Sequence, residues 1–239
     1  ERACMRSVLR HGHPLSLFCY EAPGDVPQGV ELRDAAEILP ATLVVRHRSG
    51  SVALFANRFR YELQRRGEGL WVDADTYLVR PLDLDRPYLF GWEDERSIAN
   101  GVLLTPPDSP LLGPLLAVFE EREVPPWLEP RARLAARWRL WRTGRTGIEQ
   151  MPWGSAGPRA LTHVARKLGL DRWALPPSVL YPVHWRDAQW IRDPARTLDE
   201  VVRADTIAVH LWNHCIGAFK TLPAADGSFL ARLQAEGRS

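Results

Sequence analysis

The stretch GLWVDADTYLVRPLD, residues 69–83, sets two carboxylates, Asp73 and Asp75, in an otherwise apolar, β-branched run. An unpaired carboxylate at the end of a buried strand is costly to desolvate, so something must offset that cost. Side chains at i and i+2 of an extended segment point to the same side, which gives Asp73 and Asp75 a shared face and turns Ala74 away. Two acids held close repel each other. A divalent cation beside them removes the repulsion and creates a charge suited to phosphate oxygens. A small set of hard oxygen ligands with positions left open for water suits Mg²⁺ or Mn²⁺. The spacing points to a metal-assisted diphosphate site; the plain alternative is a pair of aspartates capping a turn.

Neighbouring elements must hold these acids in place. From about Ser51 to Arg66, Phe55, Phe59 and Leu63 fall at i, i+4 and i+8, the apolar stripe of a helix that Gly67 and Gly69 close. The part of this helix from Asn57 onward is roughly 15 Å long at about 1.5 Å per residue. The return strand covers a similar distance, so the start of the helix lies beside the end of the strand. Asn57 and Arg60, one turn apart on one face, then stand next to Asp73 and Asp75. An amide, a guanidinium and two acids at one edge suit a charged, hydroxyl-rich ligand.

The rest of the chain alternates. Residues 2–10 have a helical pattern, 14–20 and 70–73 are strand-like, and 88–93, 98–106 and 206–212 are further extended candidates. Residues 110–122 and 157–169 are helical, and Asp34 is a candidate cap for a helix ending before Pro40. This alternation predicts an α/β layered fold over 1–239. With 45% hydrophobic and 25% charged residues the composition is that of a globular domain. The net charge of +2 gives no global field for nucleic acid. Of 31 basic residues only Lys167 and Lys220 are lysines, a bias that GC-rich coding explains. Cys4, Cys19 and Cys215 form no metal or disulfide spacing, and neither a membrane span nor a signal pattern is visible. A cytoplasmic location is expected.

The segment ALFANRFRYELQRRGEGLWVDADTYLVRPLD (53–83) resembles the sugar-binding region of DXD-containing glycosyltransferases of the family 32 type, which includes initiating mannosyltransferases and bacterial capsular polysaccharide transferases. HGHPLSLFCYE (11–21), NGVLLTPPDSP (100–110), GSAGPRALTHV (154–164), LYPVHWRDA (180–188) and AVHLWNH (208–214) agree in order, so the resemblance covers nearly the whole chain. It implies a GT-A type nucleotide-diphospho-sugar transferase fold with a mostly parallel central sheet flanked by helices. The implied enzyme is metal-dependent (Mn²⁺ or Mg²⁺) and retaining. Its donor would be a UDP- or GDP-sugar and its acceptor a saccharide or glycolipid. Carried onto this sequence, Asp73 contacts the donor and Asp75 the metal. Arg60 binds sugar or phosphate, Asn100 and Gly101 line the sugar pocket, and His210 or Asn213, around Trp212, completes the metal and diphosphate side. Two features depart from the pattern. Asn57 stands where many relatives have Asp, and the opening strand that stacks on the base is absent before Glu1.

Other readings of the same residues are a non-catalytic nucleotide-sugar-binding relative and a haloacid dehalogenase-like phosphatase, whose first motif VDADTYL (72–78) also fits. The phosphatase further needs a placed lysine and a late acidic pair. Glu93 and Asp94 are candidate acceptor-side acids. His210 and His214 have the spacing of a zinc pair but no third ligand, and His11 and His13 are expected in solvent. Trp71, Trp92 and Trp173 are expected in the core. Residues 125–145 form a helical insertion. There Arg131, Arg133, Arg137, Arg139, Arg142 and Arg145 accompany Leu134, Trp138 and Trp141 at i, i+4 and i+7. This helix either makes peripheral contact with a membrane through 131–145 or, the preferred expectation, packs its tryptophans on the domain and leaves its arginines wet.

Overall fold

A computed structural model describes residues 1–238. In chain order the elements are α1 (Arg2–Arg10), β1 (Leu15–Cys19), β2 (Val30–Asp34), α2 (Ala53–Arg65), β3 (Trp71–Val72), β4 (Thr76–Leu78), β5 (Leu89–Trp92), β6 (Ile98–Leu104), α3 (Leu112–Ala117), α4 (Pro130–Thr143), α5 (Pro158–Lys167), α6 (Pro177–Leu180), α7 (Leu198–Val201), β7 (Ala208–His210), α8 (Asn213–Ile216) and α9 (Phe229–Arg238). Short 3-10 turns fill several connections, one of them capped by Asp34, whose Oδ1 accepts from the Ala36 N–H at 2.8 Å.

The chain is mixed α/β, but the expected mostly parallel sheet is not what forms. β1 and β2 pair in parallel, whereas β3 and β5 flank β6 antiparallel and β4 pairs antiparallel with β7. For β5 and β6, loop length is the reason. Only residues 93–97 join β5 to β6, and Asp94 Oδ1 closes that turn by accepting from the Arg96 and Ser97 N–H groups. A parallel partner needs a crossover of a dozen or more residues.

Asp73 and Asp75 occupy the break between β3 and β4. The chain there leaves one partner strand, β6, and joins another, β7. α2 lies beside it. Phe55, Phe59 and Leu63 bury with Ala35, Ile38 and Leu39 on one face, as their spacing predicts. The opposite face carries Asn57, Arg60, Tyr61 and Gln64, all buried. The turn into β3 is a left-handed Gly67 (φ 70°) with the Glu68 N–H returning to the Leu63 carbonyl at 3.2 Å. Gln64 fixes it further. Its Nε2 donates to the Gly69 carbonyl at 2.7 Å, and its Oε1 accepts from the Thr105 N–H at 2.8 Å.

Two expectations about side chains fail. His13 is not simply solvated, because its Nε2 accepts from the Leu82 N–H at 2.9 Å. The tryptophan stripe of α4 does not pack on the domain: Ala132 and fully buried Ala136 face the core, while Leu134, Trp138 and Trp141 are 70%, 54% and 83% exposed. Small alanines allow close approach, so the inward face is the one without bulk. Among the described residues no helix is long and apolar enough to cross a membrane.

Candidate functional site

The site is built where α2, the β3–β4 break, β6 and β7 meet. Asp73 is tied to β6 by its backbone, whose N–H donates to the Gly101 carbonyl at 2.7 Å. Its Oδ1 accepts from the Trp71 indole at 2.7 Å and pairs with Arg60 at 3.1 Å. Asp75 Oδ2 accepts from the Asn213 N–H at 2.7 Å, and the Asp75 carbonyl accepts from Leu211. Each carboxylate thus has one oxygen committed to the protein. The second oxygens, Asp73 Oδ2 and Asp75 Oδ1, both face His210 Nε2, at 3.6 and 3.3 Å.

Asp73, Asp75 and His210 form the group whose ligand atoms lie within 4.8 Å of one another. The donor set of two hard carboxylate oxygens and one imidazole nitrogen fits Mg²⁺ or Mn²⁺, with open positions left for water or phosphate. Gly101 makes the gathering feasible, because a Cβ there would lie 3.0 Å from Asp73 Oδ2 and 3.0 Å from His210 Nε2. The Trp212 N–H points at His210 Nδ1 at 3.2 Å, so the proton of a neutral imidazole sits on Nε2, facing the acids. A cation ligated by Nε2 needs that nitrogen deprotonated, so the proton of the neutral ring would move to Nδ1 and the Trp212 N–H would have to give up that acceptor. Trp212 itself holds a left-handed backbone (φ 55°), uncommon for a bulky residue, which aims two successive N–H groups at His210 and Asp75.

Electrostatics follow from these contacts. Burial favours a neutral Asp73, but Arg60 and His210 outweigh it and hold the carboxyl below its ordinary range. Burial likewise opposes charge on His210, and the Asp75 and Asp73 carboxylates more than reverse it, raising the imidazole. Glu93 is raised chiefly by burial, with Asp94 adding to it.

Above the acids lies a pocket of about 240 Å³, walled by Asn57, Asn100, Glu93, Tyr181 and Trp212 among others. Asn100 Nδ2 donates to Asn57 Oδ1 at 2.9 Å and to the Tyr61 hydroxyl at 3.2 Å. Arg60 donates to the Asn100 carbonyl through Nη1 and to the Ala56 carbonyl through Nε at 3.3 Å, and its guanidinium stacks 4.8 Å from the Trp71 ring centroid. With Asp73 as its third partner, it is held rigidly and brings positive charge to the pocket floor. A larger cleft of about 950 Å³ lies between α1 and α9, and Asp75 and Asn213 line both cavities.

Most of the expected residues therefore converge: Asn57, Arg60, Asp73, Asp75, Asn100, Gly101, His210 and Trp212. Asn213 contributes differently from its assigned role. Its backbone N–H holds Asp75, while its side chain donates to Glu1 at 2.9 Å and accepts from Lys220 at 3.0 Å. Asp94 is spent on the β5–β6 turn and leaves Glu93 as the acid on the pocket wall. Trp212 is buried, its indole donates to the Val183 carbonyl at 2.8 Å, and its ring centroid lies 4.4 Å from that of His210. His214 lines the pocket but stands outside the three-residue group. The phosphatase motif's lysine has no counterpart at the acids: the cationic side chains facing them are those of Arg60 and His210. Trp71 and Tyr61 were missed. Trp71 had a signal, since it shares the strand face of Asp73 at i−2.

Set against known protein families, curated proteins and solved structures, the chain finds no match.

Proposed function

We propose that this chain is a metal-dependent glycosyltransferase of GT-A type. In this reading it moves a sugar from a nucleotide-diphospho-sugar, with a UDP- or GDP-linked donor, to a saccharide or glycolipid acceptor. The observation that carries the proposal is the convergence of one uncommitted oxygen from each of Asp73 and Asp75 with His210 Nε2 at the floor of a pocket of about 240 Å³. Asp73, Asp75 and His210 would hold Mn²⁺ or Mg²⁺, which when bound supplies Lewis-acid charge for a departing diphosphate.

The chain's own residues do the remainder. Asn57 and Asn100 offer amides to sugar hydroxyls, and the pocket volume suits one hexose. Arg60, fixed by three partners, adds preorganised positive charge where negative charge develops. Asp75 lines both the pocket and the larger cleft, which supports a reading with the diphosphate at their junction and the nucleoside on the cleft side. The acceptor hydroxyl forms its bond to the anomeric carbon from the face the diphosphate leaves. The anomeric carbon–oxygen bond breaks, and the hydroxyl proton passes to the departing phosphate oxygen. Glu93, raised by burial, lines the pocket wall and is the acid this reading assigns to the acceptor side.

The test is a thermal-shift screen of nucleotide sugars with Mn²⁺ on the parent protein and on Asp75→Asn, followed by donor hydrolysis. We expect one donor class to raise Tm only with Mn²⁺, and the variant, which loses one ligand charge at the ion, to need far more metal for the same shift. A donor that stabilises both proteins equally would overturn the assignment of Asp75. Metal-dependent binding without turnover would reduce the chain to a binding module.

A further inference from the structure

α4 presents an unusual outer face. Residues 130–145 carry six arginines and no acid. At about 100° per residue, Leu134, Trp138 and Trp141 fall within an arc of about 60°. Arg137 borders that arc on one side, Arg131 and Arg142 on the other, and Ala132 and Ala136 lie opposite, against the core. All three apolar side chains are at least half exposed. Arg142 stacks on Trp138 at 5.2 Å, and among the described residues none of Arg131, Arg137 and Arg142 pairs with an acid. By contrast Arg145 pairs with buried Glu121, which also accepts from the Gly147 and Ile148 N–H groups at 2.8 and 2.9 Å and pins the loop that ends the helix.

We propose that this face of α4 docks on an anionic lipid bilayer, with Trp138, Trp141 and Leu134 inserted at the headgroup boundary and Arg131, Arg137 and Arg142 on lipid phosphates. The chemistry of the strip selects this occupant. A second copy of the chain would set arginine against arginine, and a nucleic acid would leave the apolar centre without a partner. A bilayer edge offers an apolar layer flanked by negative charge, matching a tryptophan stripe flanked by guanidinium groups. Leu54, Ile148 and Ala156, which pack with Ala136 beneath the helix, also line the pocket over Asp73 and Asp75. Docking would therefore bring that pocket close to the membrane surface.

The inference stands apart from the transferase reading, and its experiment uses the full chain with neither metal nor donor. Co-sedimentation is measured with vesicles of phosphatidylcholine alone and of phosphatidylcholine mixed with phosphatidylglycerol. The variants are Trp138→Ala/Trp141→Ala and Arg131→Gln/Arg137→Gln/Arg142→Gln, all at exposed positions, with thermal melts to confirm folding. We expect partition onto the anionic vesicles alone, weakened by salt. It should fall about a hundredfold in the arginine variant, about fivefold per basic residue, and clearly in the tryptophan variant. Absence of vesicle binding, equal binding to both compositions, or a tryptophan variant that binds as well as the parent would each overturn the proposal.

Discussion

Asp73, Asp75 and His210 crowd together because Gly101 has nothing to put between them. Two carboxylates this close would ordinarily force one to take up a proton. Here Arg60 keeps Asp73 charged from one side and His210 serves both acids from the other. Gly101→Ala therefore tests the site at its tightest point. Its Cβ would lie 3.0 Å from an oxygen of Asp73 and from the ring of His210. Those atoms sit on two different elements, the end of β3 and β7, so the methyl cannot be absorbed by one flexible side chain. Under the metal reading, calorimetric titration with Mn²⁺ should show a 10- to 100-fold loss of affinity, comparable to losing an orienting group. Stability should fall by only about 1–3 kcal/mol, the usual cost of overpacking. A variant that binds Mn²⁺ as the parent does would place the ion elsewhere.

At the level of elements, α1 substitutes for a strand. β4 pairs with β7 along one edge, and on its other edge the Leu78 N–H donates to Ser7 Oγ of α1 at 2.8 Å, while the Ser7 hydroxyl donates to the Cys4 carbonyl at 2.6 Å. Ser7→Ala would leave a buried N–H without an acceptor, which costs about 1–3 kcal/mol and should lower the urea midpoint without changing the slope. An unchanged midpoint would mean that α1 does not seal this edge. Such pairings explain what the sequence could and could not reveal. α2 was legible because Phe55, Phe59 and Leu63 repeat at helical spacing, and its antiparallel approach to the acids followed from element lengths alone. β2 is a short run in which Val30 and Leu32 alternate with Glu31 and Arg33 but burial does not follow, since Leu32 ends up 44% exposed, and the run leads straight into the Asp34 cap. α9 carried Phe229, Leu230 and Leu233 in a helical pattern and was overlooked. For α4 the periodicity was read correctly and its orientation was not, since an amphipathic pattern does not say whether bulk or smallness faces inward. The direction of the β3–β6 and β4–β7 pairs was illegible for a different reason: it depends on which distant segment each edge finds, whereas the short link between β5 and β6 settled theirs.

Across the whole molecule, the first and last elements close on one another. Ala3, Cys4 and Val8 of α1 share a hydrophobic cluster with Phe229, Leu230 and Leu233 of α9 and with Tyr77, Leu78 and Val209 of the β4–β7 pair that carries the site. The Tyr77 hydroxyl is bonded by Arg10 at 2.8 Å and Arg232 at 3.1 Å and donates to Glu236 at 2.9 Å, so both terminal helices grip the strand that follows Asp75. Cys4 reports on this closure. Burial pushes its thiol up to about 12 from an ordinary 9.0, so at pH 8 the folded chain offers almost no thiolate there. Alkylation of Cys4 by iodoacetamide should then require opening, and its rate should rise with urea along the same slope as global unfolding. Denaturant-independent alkylation would mean instead that α1 frays locally. The same burial fixes a pH dependence. The unfolded thiol ionises near 9.0 and the folded one only near 12, so Cys4's contribution to stability is intact below pH 9 and is lost between those limits, by up to about 1.4 kcal/mol per pH unit. Urea unfolding of Cys4→Ser should lack that share of the alkaline decline, and a variant whose stability falls with pH as steeply as the parent's would show that the thiol does not stay protonated in the folded chain.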